Sequence, residues 1–383
     1  MRVLVNALSA TNLSGRHVLL GHLAKLSEWT QGRHEYVVLF HGMNRDICRD
    51  ACKNVSWREC PEITAQWAGR LWWEQTNLAA IARKLRVDFV LTASGTITPM
   101  LEFPQISYAM NPVPFIKGID QGIFGHRKSM LQRWGYKKAM KKAVMMLFLS
   151  DYMRQMYRNN AGITERASEI VYTGLDEDTF RAGEFSTVKD SKKPFQIICV
   201  SVMASHKGID MLIRSVEFVR RIYKIPAELI LVGPWSDHSY EQKIRKLIPE
   251  LKMDNIVEIK GYASRDDLNK YYAQSKVFCL MSRSESFGIP AVEAQAFGTP
   301  VVSSNCCAIP EVCGRGGVYP EPDDIEGTAK AIAKLLTDDA AWQELSEAAR
   351  QNAERYHWDI CSRPLLRMFE IVSSGTSGLQ GAA

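Results

Sequence analysis

Short apolar, β-rich runs alternate with longer stretches of helical spacing almost from end to end of the chain, and this alternation restricts its fold more than any single motif. Runs at 2–5, 36–40, 87–92, 105–109, 145–150 and 169–172 read as strands, with helical patterns at 16–26, 73–85, 129–142 and 152–159 between them. The scheme repeats with strands at 195–202, 228–232, 256–259, 276–281 and 301–304, each followed by a helical pattern. Strand–helix alternation of this kind specifies parallel sheets wrapped on both faces by helices, an α/β class. At 383 residues the chain exceeds one ordinary core, so two such domains are expected. The expected division is a domain at 1–175, a polar linker at 176–193 and a second domain at 194–356. A helix at 357–373 could cross back to brace the first domain, and the small, glycine-rich tail at 374–383 is expected to be disordered.

Composition narrows the class further. A chain with 46% hydrophobic and 23% charged residues is that of a soluble globular protein, and no apolar run approaches the ~20 residues of a membrane span. The opening MRVLV leads directly into the first strand with no signal-peptide pattern, and nine irregularly spaced cysteines, Cys306 and Cys307 adjacent, resemble no disulfide framework. A cytoplasmic location is expected.

The net charge of +6 is unevenly spread. Residues 126–142 carry Arg127, Lys128, Arg133, Lys137, Lys138, Lys141 and Lys142 with no acid, interleaved with Met130, Leu131, Trp134, Tyr136 and Met140. Such a helix either packs its apolar stripe on its own domain or lies peripherally on an anionic membrane surface. No recognition motif accompanies it, so nucleic acid is not an expected partner.

The chemistry concentrates at 285–312, ESFGIPAVEAQAFGTPVVSSNCCAIPEV. After a buried strand, residues 282–288 form a polar loop and 289–297 a helix. Gly288 lets backbone approach a ligand, and the helix start favours an anion such as a diphosphate. Glu285 would sit in the loop over a transferred group, with Ser286 and the backbone of Phe287 and Gly288 beside it. Glu293 lies roughly 7 Å further along the axis at ~1.5 Å per residue, about the reach from a sugar to a ribose. The pattern suits a nucleotide-activated sugar. Upstream, strand 195–202 leads to His206-Lys207-Gly208, placing Lys207 where a cation can hold a diphosphate and offset charge on a leaving group.

These elements resemble retaining glycosyltransferases of family 4 (glycosyl transferases group 1, GT-B fold), diffusely over the first half and specifically at 207–312. The resemblance implies two doubly wound, Rossmann-like domains facing a cleft, a terminal helix that crosses over, and hexose transfer from a nucleoside diphosphate sugar. Catalytic candidates are then Glu285 and Lys207. Donor-binding candidates are Glu293, Phe287, Gly288, Ser286, Arg283, His206, Gly233 and Tyr262, the last two in turns similar to the family's strand-end glycine and base-bracketing turns. Asp151 and the turn 173–176 fit the family pattern loosely.

On the acceptor side, Gly15 sits in a loop like the family's glycine-rich loop, and Asn111 follows Met110, which stands where many relatives carry histidine. Val202 stands where the family usually has an arginine, so either Arg283, His206 or the basic cleft compensates, or donor binding is weaker than usual in the family. No metal and no cofactor are expected, the nucleotide sugar being a co-substrate. The expected acceptor is a glycan or lipid-linked molecule, as in assembly of bacterial surface polysaccharide. The readings that compete are a nucleotide-sugar epimerase and a non-catalytic sugar-binding or scaffold protein of the same fold.

Overall fold

The computed structural model describes residues 1–48, 53–115, 122–162, 167–185 and 192–379. The chain forms two compact units, one of Met1–Gly174 with Trp358–Ala383 and one of Leu175–His357.

The first unit is built on seven parallel strands, β1 (Arg2–Asn6), β2 (Glu35–Phe40), β3 (Val55–Glu59), β4 (Phe89–Thr92), β5 (Gln105–Ala109), β6 (Met145–Phe148) and β7 (Ser168–Ile170). Their order is β3-β2-β1-β4-β5-β6-β7. The inner strands are buried on both faces, which is why they read as continuous apolar runs. β3, VSWRE, was not among the expected strands. It lies at the sheet edge, where its charged residues face solvent and blur the apolar signal.

Helix Leu13–Trp29 opens with Asn12, whose Oδ1 accepts from the Gly15 N–H at 2.8 Å. Helix Trp358–Leu379 packs against it. A Cβ at Gly21 would lie 2.0 Å from the Trp358 ring, so glycine there lets the indole seat. His22 Nδ1 is 2.9 Å from Ser362 Oγ, and Phe369 meets Phe89 edge-on at 4.9 Å between ring centres. The helix includes residues 374–379, which the sequence reading assigned to a disordered tail; 380–383 lie outside the described residues.

Helix Gly122–Lys142 divides its apolar residues. Tyr136, Ala139 and Met140 are buried with Phe148, Met153 and Tyr157, Tyr136 stacking on Tyr157 at 4.7 Å. Met130, Leu131 and Trp134 are instead exposed among the basic side chains, with Lys138 Nζ 4.9 Å over the Trp134 ring. Among the described residues no helix is long and apolar enough to cross a membrane.

The second unit carries a six-stranded parallel sheet, β8 (Lys193–Val200), β9 (Glu228–Val232), β10 (Val257–Gly261), β11 (Ser275–Leu280), β12 (Val301–Ser303) and β13 (Gly317–Val318), in the order β10-β9-β8-β11-β12-β13. The two-residue β13 is too short to show a period. Helix Glu177–Phe185 occupies the stretch expected as a linker, so that part belongs to the second unit; 186–191 lie outside the described residues. Its buried positions explain why: Phe180 stacks on His357 at 3.9 Å, and a Cβ at Gly183 would fall 2.4 Å from Ala296 O. Where the unit begins and ends, the Leu175 N–H donates to Tyr356 O at 2.8 Å.

Candidate active site

From β8 the second sheet grows outward through β9 to β10, then resumes on the other side of β8 with β11, β12 and β13. The point of reversal therefore lies between β8 and β11, the place in an open parallel sheet where ligands commonly bind. The loops after these two strands carry Lys207 and Glu285. Lys207 Nζ is 2.5 Å from Glu285 Oε1, with the side chains only 14% and 15% exposed. The backbone holds the loops together: the Arg283 N–H donates to His206 O at 2.8 Å, and Ala308 N–H to Glu285 O at 3.2 Å.

Two glycines make this approach possible. Gly208 has φ 66° and follows the turn Ser205–Lys207; a Cβ there would lie 2.1 Å from Met281 O on the facing loop. Gly288, at φ 97°, opens helix Ile289–Ala296. Both angles lie where a side chain is strained.

Glu293, on that helix, is 5% exposed. Its Oε1 accepts from Arg265 Nη1 at 2.6 Å and its Oε2 from Tyr272 Oη at 2.9 Å. Tyr272 is fully buried, so the partner on the solvent side is Arg265, whose side chain is 44% exposed and lies 4.0 Å from Asp176. Behind them Lys192 Nζ donates to Tyr272 O at 3.0 Å and Thr299 Oγ1 at 2.6 Å. Burial, with the Arg350 charge, brings that ammonium down to about 7.

The residues offered as substitutes for an arginine at 202 do not supply its charge in the structure. Burial, with the Lys207 charge beside it, brings His206 down to about 4, so its ring is neutral at physiological pH. Arg283 is ion-paired with Asp323. Val202 itself is half-exposed.

Among the remaining candidates, the Phe287 ring is buried edge-on against Tyr356 at 5.2 Å, which leaves only its backbone for a ligand. Ser286 is half-buried in the Glu285 loop. A Cβ at Gly233, φ 133°, would lie 1.9 Å from Ser201 O, and the Gly233 N–H donates to Gly261 O at 2.7 Å, so the ends of β8, β9 and β10 are drawn tightly together. Tyr262 follows that turn and is 77% exposed, a ring at the surface and not an edge of the core.

Gly15 and Asn111 belong to the first unit. The Gly15 N–H is taken by the Asn12 cap, so that helix start offers a phosphate one donor fewer than expected. Asn111 Oδ1 accepts from the Val113 N–H at 3.1 Å, the turn-forming role common for asparagine before proline.

The sequence reading missed Arg265, Tyr272, Lys192 and Asp323. Arg265 and Tyr272 are seven apart on helix Arg265–Gln274, two turns along one face, which is the available signal; nothing in their order points to a partner at 293.

Comparison with known proteins fits this arrangement. Residues 183–355 match the family described as glycosyl transferases group 1. The chain is 28% identical over 176 residues to O-antigen chain mannosyltransferase B of Escherichia coli, covering 45% of each protein. It is 26% identical over 254 residues to the MMP alpha-(1->4)-mannosyltransferase of Mycolicibacterium hassiacum, covering 64% of this chain and 59% of that one. The chain thus spans about half the length of the curated relatives it matches. The structure of Anabaena HepE in complex with UDP-glucose superimposes with a TM-score of 0.73 at 16% identity, over 97% of this chain and 99% of the other. Two Rossmann-like units, each built on a parallel sheet, are the GT-B architecture, and the second of them carries the match to the glycosyl transferases group 1 family.

Proposed function

We propose that this protein is a family 4-like glycosyltransferase that moves a hexose-type residue from a nucleoside diphosphate sugar to a glycan or lipid-linked acceptor, with retention at the anomeric carbon. The observation that carries this reading is the Lys207–Glu285 pair at the reversal of the second sheet, eight residues ahead of the buried carboxylate of Glu293.

In this reading Lys207 and the positive end of helix Ile289–Ala296 hold the diphosphate and offset the charge that grows as it departs. Glu285 and the backbone at 287 and 288 hold the sugar, and Glu293 takes the ribose hydroxyls by sharing its oxygens with Arg265. The acceptor attacks from the face the phosphate leaves, and the departing phosphate takes the acceptor's proton. No metal is assigned a part.

Relatives named as an O-antigen chain mannosyltransferase and a phosphatidylinositol monomannoside mannosyltransferase support a role in bacterial surface polysaccharide synthesis. Exposed Met130, Leu131 and Trp134 among lysines and arginines support docking on the anionic inner face of the cell membrane, where a lipid-linked acceptor would lie. Vesicle binding should fall when Arg133, Lys137, Lys138 and Lys141 are reversed in charge; unchanged binding and activity would remove that part. The competing sugar-binding reading draws on the neutral His206 and the occupied Arg283.

The deciding experiment is calorimetric binding of UDP, GDP and their sugar conjugates to the wild type and Glu293→Ala. One nucleotide should bind well, and at least about tenfold more weakly to the variant. No binding of any of them at millimolar concentration defeats the reading, and binding without turnover across an acceptor screen favours the sugar-binding protein.

A further inference from the structure

A pair of thiols that the transfer reaction does not use backs the Glu285 loop. After β12 the chain turns through residues 304–308 before helix Ile309–Cys313, and this turn carries Cys306, half-buried, and Cys307, buried. Neither is in a disulfide, and the two are adjacent in the chain. Cys306 Sγ lies 3.5 Å from Ser282 O and 3.6 Å from Ser304 Oγ. The same short turn is tied to the start and the middle of the Glu285 loop, because Ser304 Oγ donates to Ser282 O and the Ala308 N–H to Glu285 O. Any change of backbone at 306–307 is therefore transmitted to Glu285.

We propose that Cys306 and Cys307 form an oxidative modification site through which a hydroperoxide switches off nucleotide binding at the Glu285 loop. The switch-off rests on the donor-site reading above; the thiol chemistry does not. The Cys306 thiolate attacks the outer oxygen of the hydroperoxide, the O–O bond breaks, and the departing oxide takes a proton to leave as alcohol or water. Cys306 is then a sulfenic acid. The Cys307 sulfur attacks the Cys306 sulfur, an S–S bond forms as the S–O bond breaks, and hydroxide leaves with the Cys307 proton as water. The two thiols have given two electrons to the peroxide.

The two cysteines are unequal, and Cys306 is the one suited to attack the hydroperoxide. The Cys307 side chain, with Ser304 and the Arg283 charge, brings Cys306 down to about 6 against the effect of burial, whereas Cys307 is pushed up. Burial raises Cys199, Cys279 and Cys313 and keeps them as thiols.

Adjacent Cα atoms are ~3.8 Å apart, shorter than the ~4.4–6.8 Å that disulfides usually span. The ring that forms must shift the 306–307 backbone, and the strain keeps the bond easily reduced. Oxidation thus moves Glu285 and reverses under thiols.

The test treats the full-length protein with hydrogen peroxide, alkylates remaining thiols, maps the peptides by mass and measures UDP and GDP affinity on the same samples. The peptide holding both cysteines should lose the mass of two hydrogens and escape alkylation. Nucleotide affinity should fall at least about tenfold and return with dithiothreitol. Cys307→Ser should stop at a sulfenate trapped by dimedone, and Cys306→Ser should leave residue 307 unoxidised and affinity insensitive to peroxide. Alkylation of both thiols after peroxide, or full affinity in the mapped disulfide form, overturns the proposal. If the reduced protein binds neither nucleotide, the donor reading and the switch fall together, while the mass map alone decides the thiol chemistry.

Discussion

Lys207 and Glu285 neutralise one another at 2.5 Å, so a diphosphate entering beside them competes with the carboxylate for the ammonium. Lys207→Ala should lower kcat by about 10²–10³, the size of effect seen when one preorganised electrostatic group is removed, and Lys207→Arg should recover part of it. Steady-state kinetics with the donor found by calorimetry checks both. Arg265→Ala should cost about 1–3 kcal/mol in urea unfolding, because it strips a buried carboxylate of its ion-pair partner. Arg265→Lys should restore less than half of that, lacking the planar fork. Glu285, Glu293 and Lys207 were legible because a glycine turn and a helix start sit beside them in sequence. Arg265 and Tyr272 were not, since what makes them matter is a carboxylate 28 and 21 positions away.

At the scale of elements, the site depends on two loops meeting backbone to backbone at Gly208. Gly208→Ala forces a Cβ to within 2.1 Å of Met281 O at a φ of 66°, so the loops must part. A loss of roughly 2–4 kcal/mol is expected, with nucleotide affinity falling as well; thermal unfolding and calorimetry on that variant measure the two. Gly261→Ala, with φ 66° but open space around its Cβ, should cost only about 1 kcal/mol, which separates backbone strain from collision. The inner strands and long helices were plain in the sequence because burial on both faces, or on one stripe, imposes a period. β3, β13 and helix Glu177–Phe185 were missed for the converse reason: an edge, two residues and a polar segment leave little apolar period to read.

For the molecule as a whole, acid should act first through buried histidines. His22, fully buried between Ser362 Oγ and Tyr108 Oη, is brought from 6.5 down to about 3 by burial and the neighbouring His17. Between those values the unfolded chain holds a proton the folded one does not. Its contribution, on the order of 3–5 kcal/mol, is therefore full above pH 6.5 and lost progressively as pH falls toward 3. Urea midpoints at pH 7, 5 and 4 should drop less in His22→Gln than in the wild type. That contact joins residues 340 apart, a distance no periodicity spans.

The chain leaves the first unit at Gly174 and returns at Trp358, and a Cβ on Gly174 would touch the Trp358 ring at 2.5 Å. In the second unit the matching ends, Leu175 and Tyr356, share a hydrogen bond. The second unit is thus a cassette spliced in at one spot of the first. A single recombination event could replace it whole, so on the proposed function the donor and the acceptor can be inherited from different ancestors.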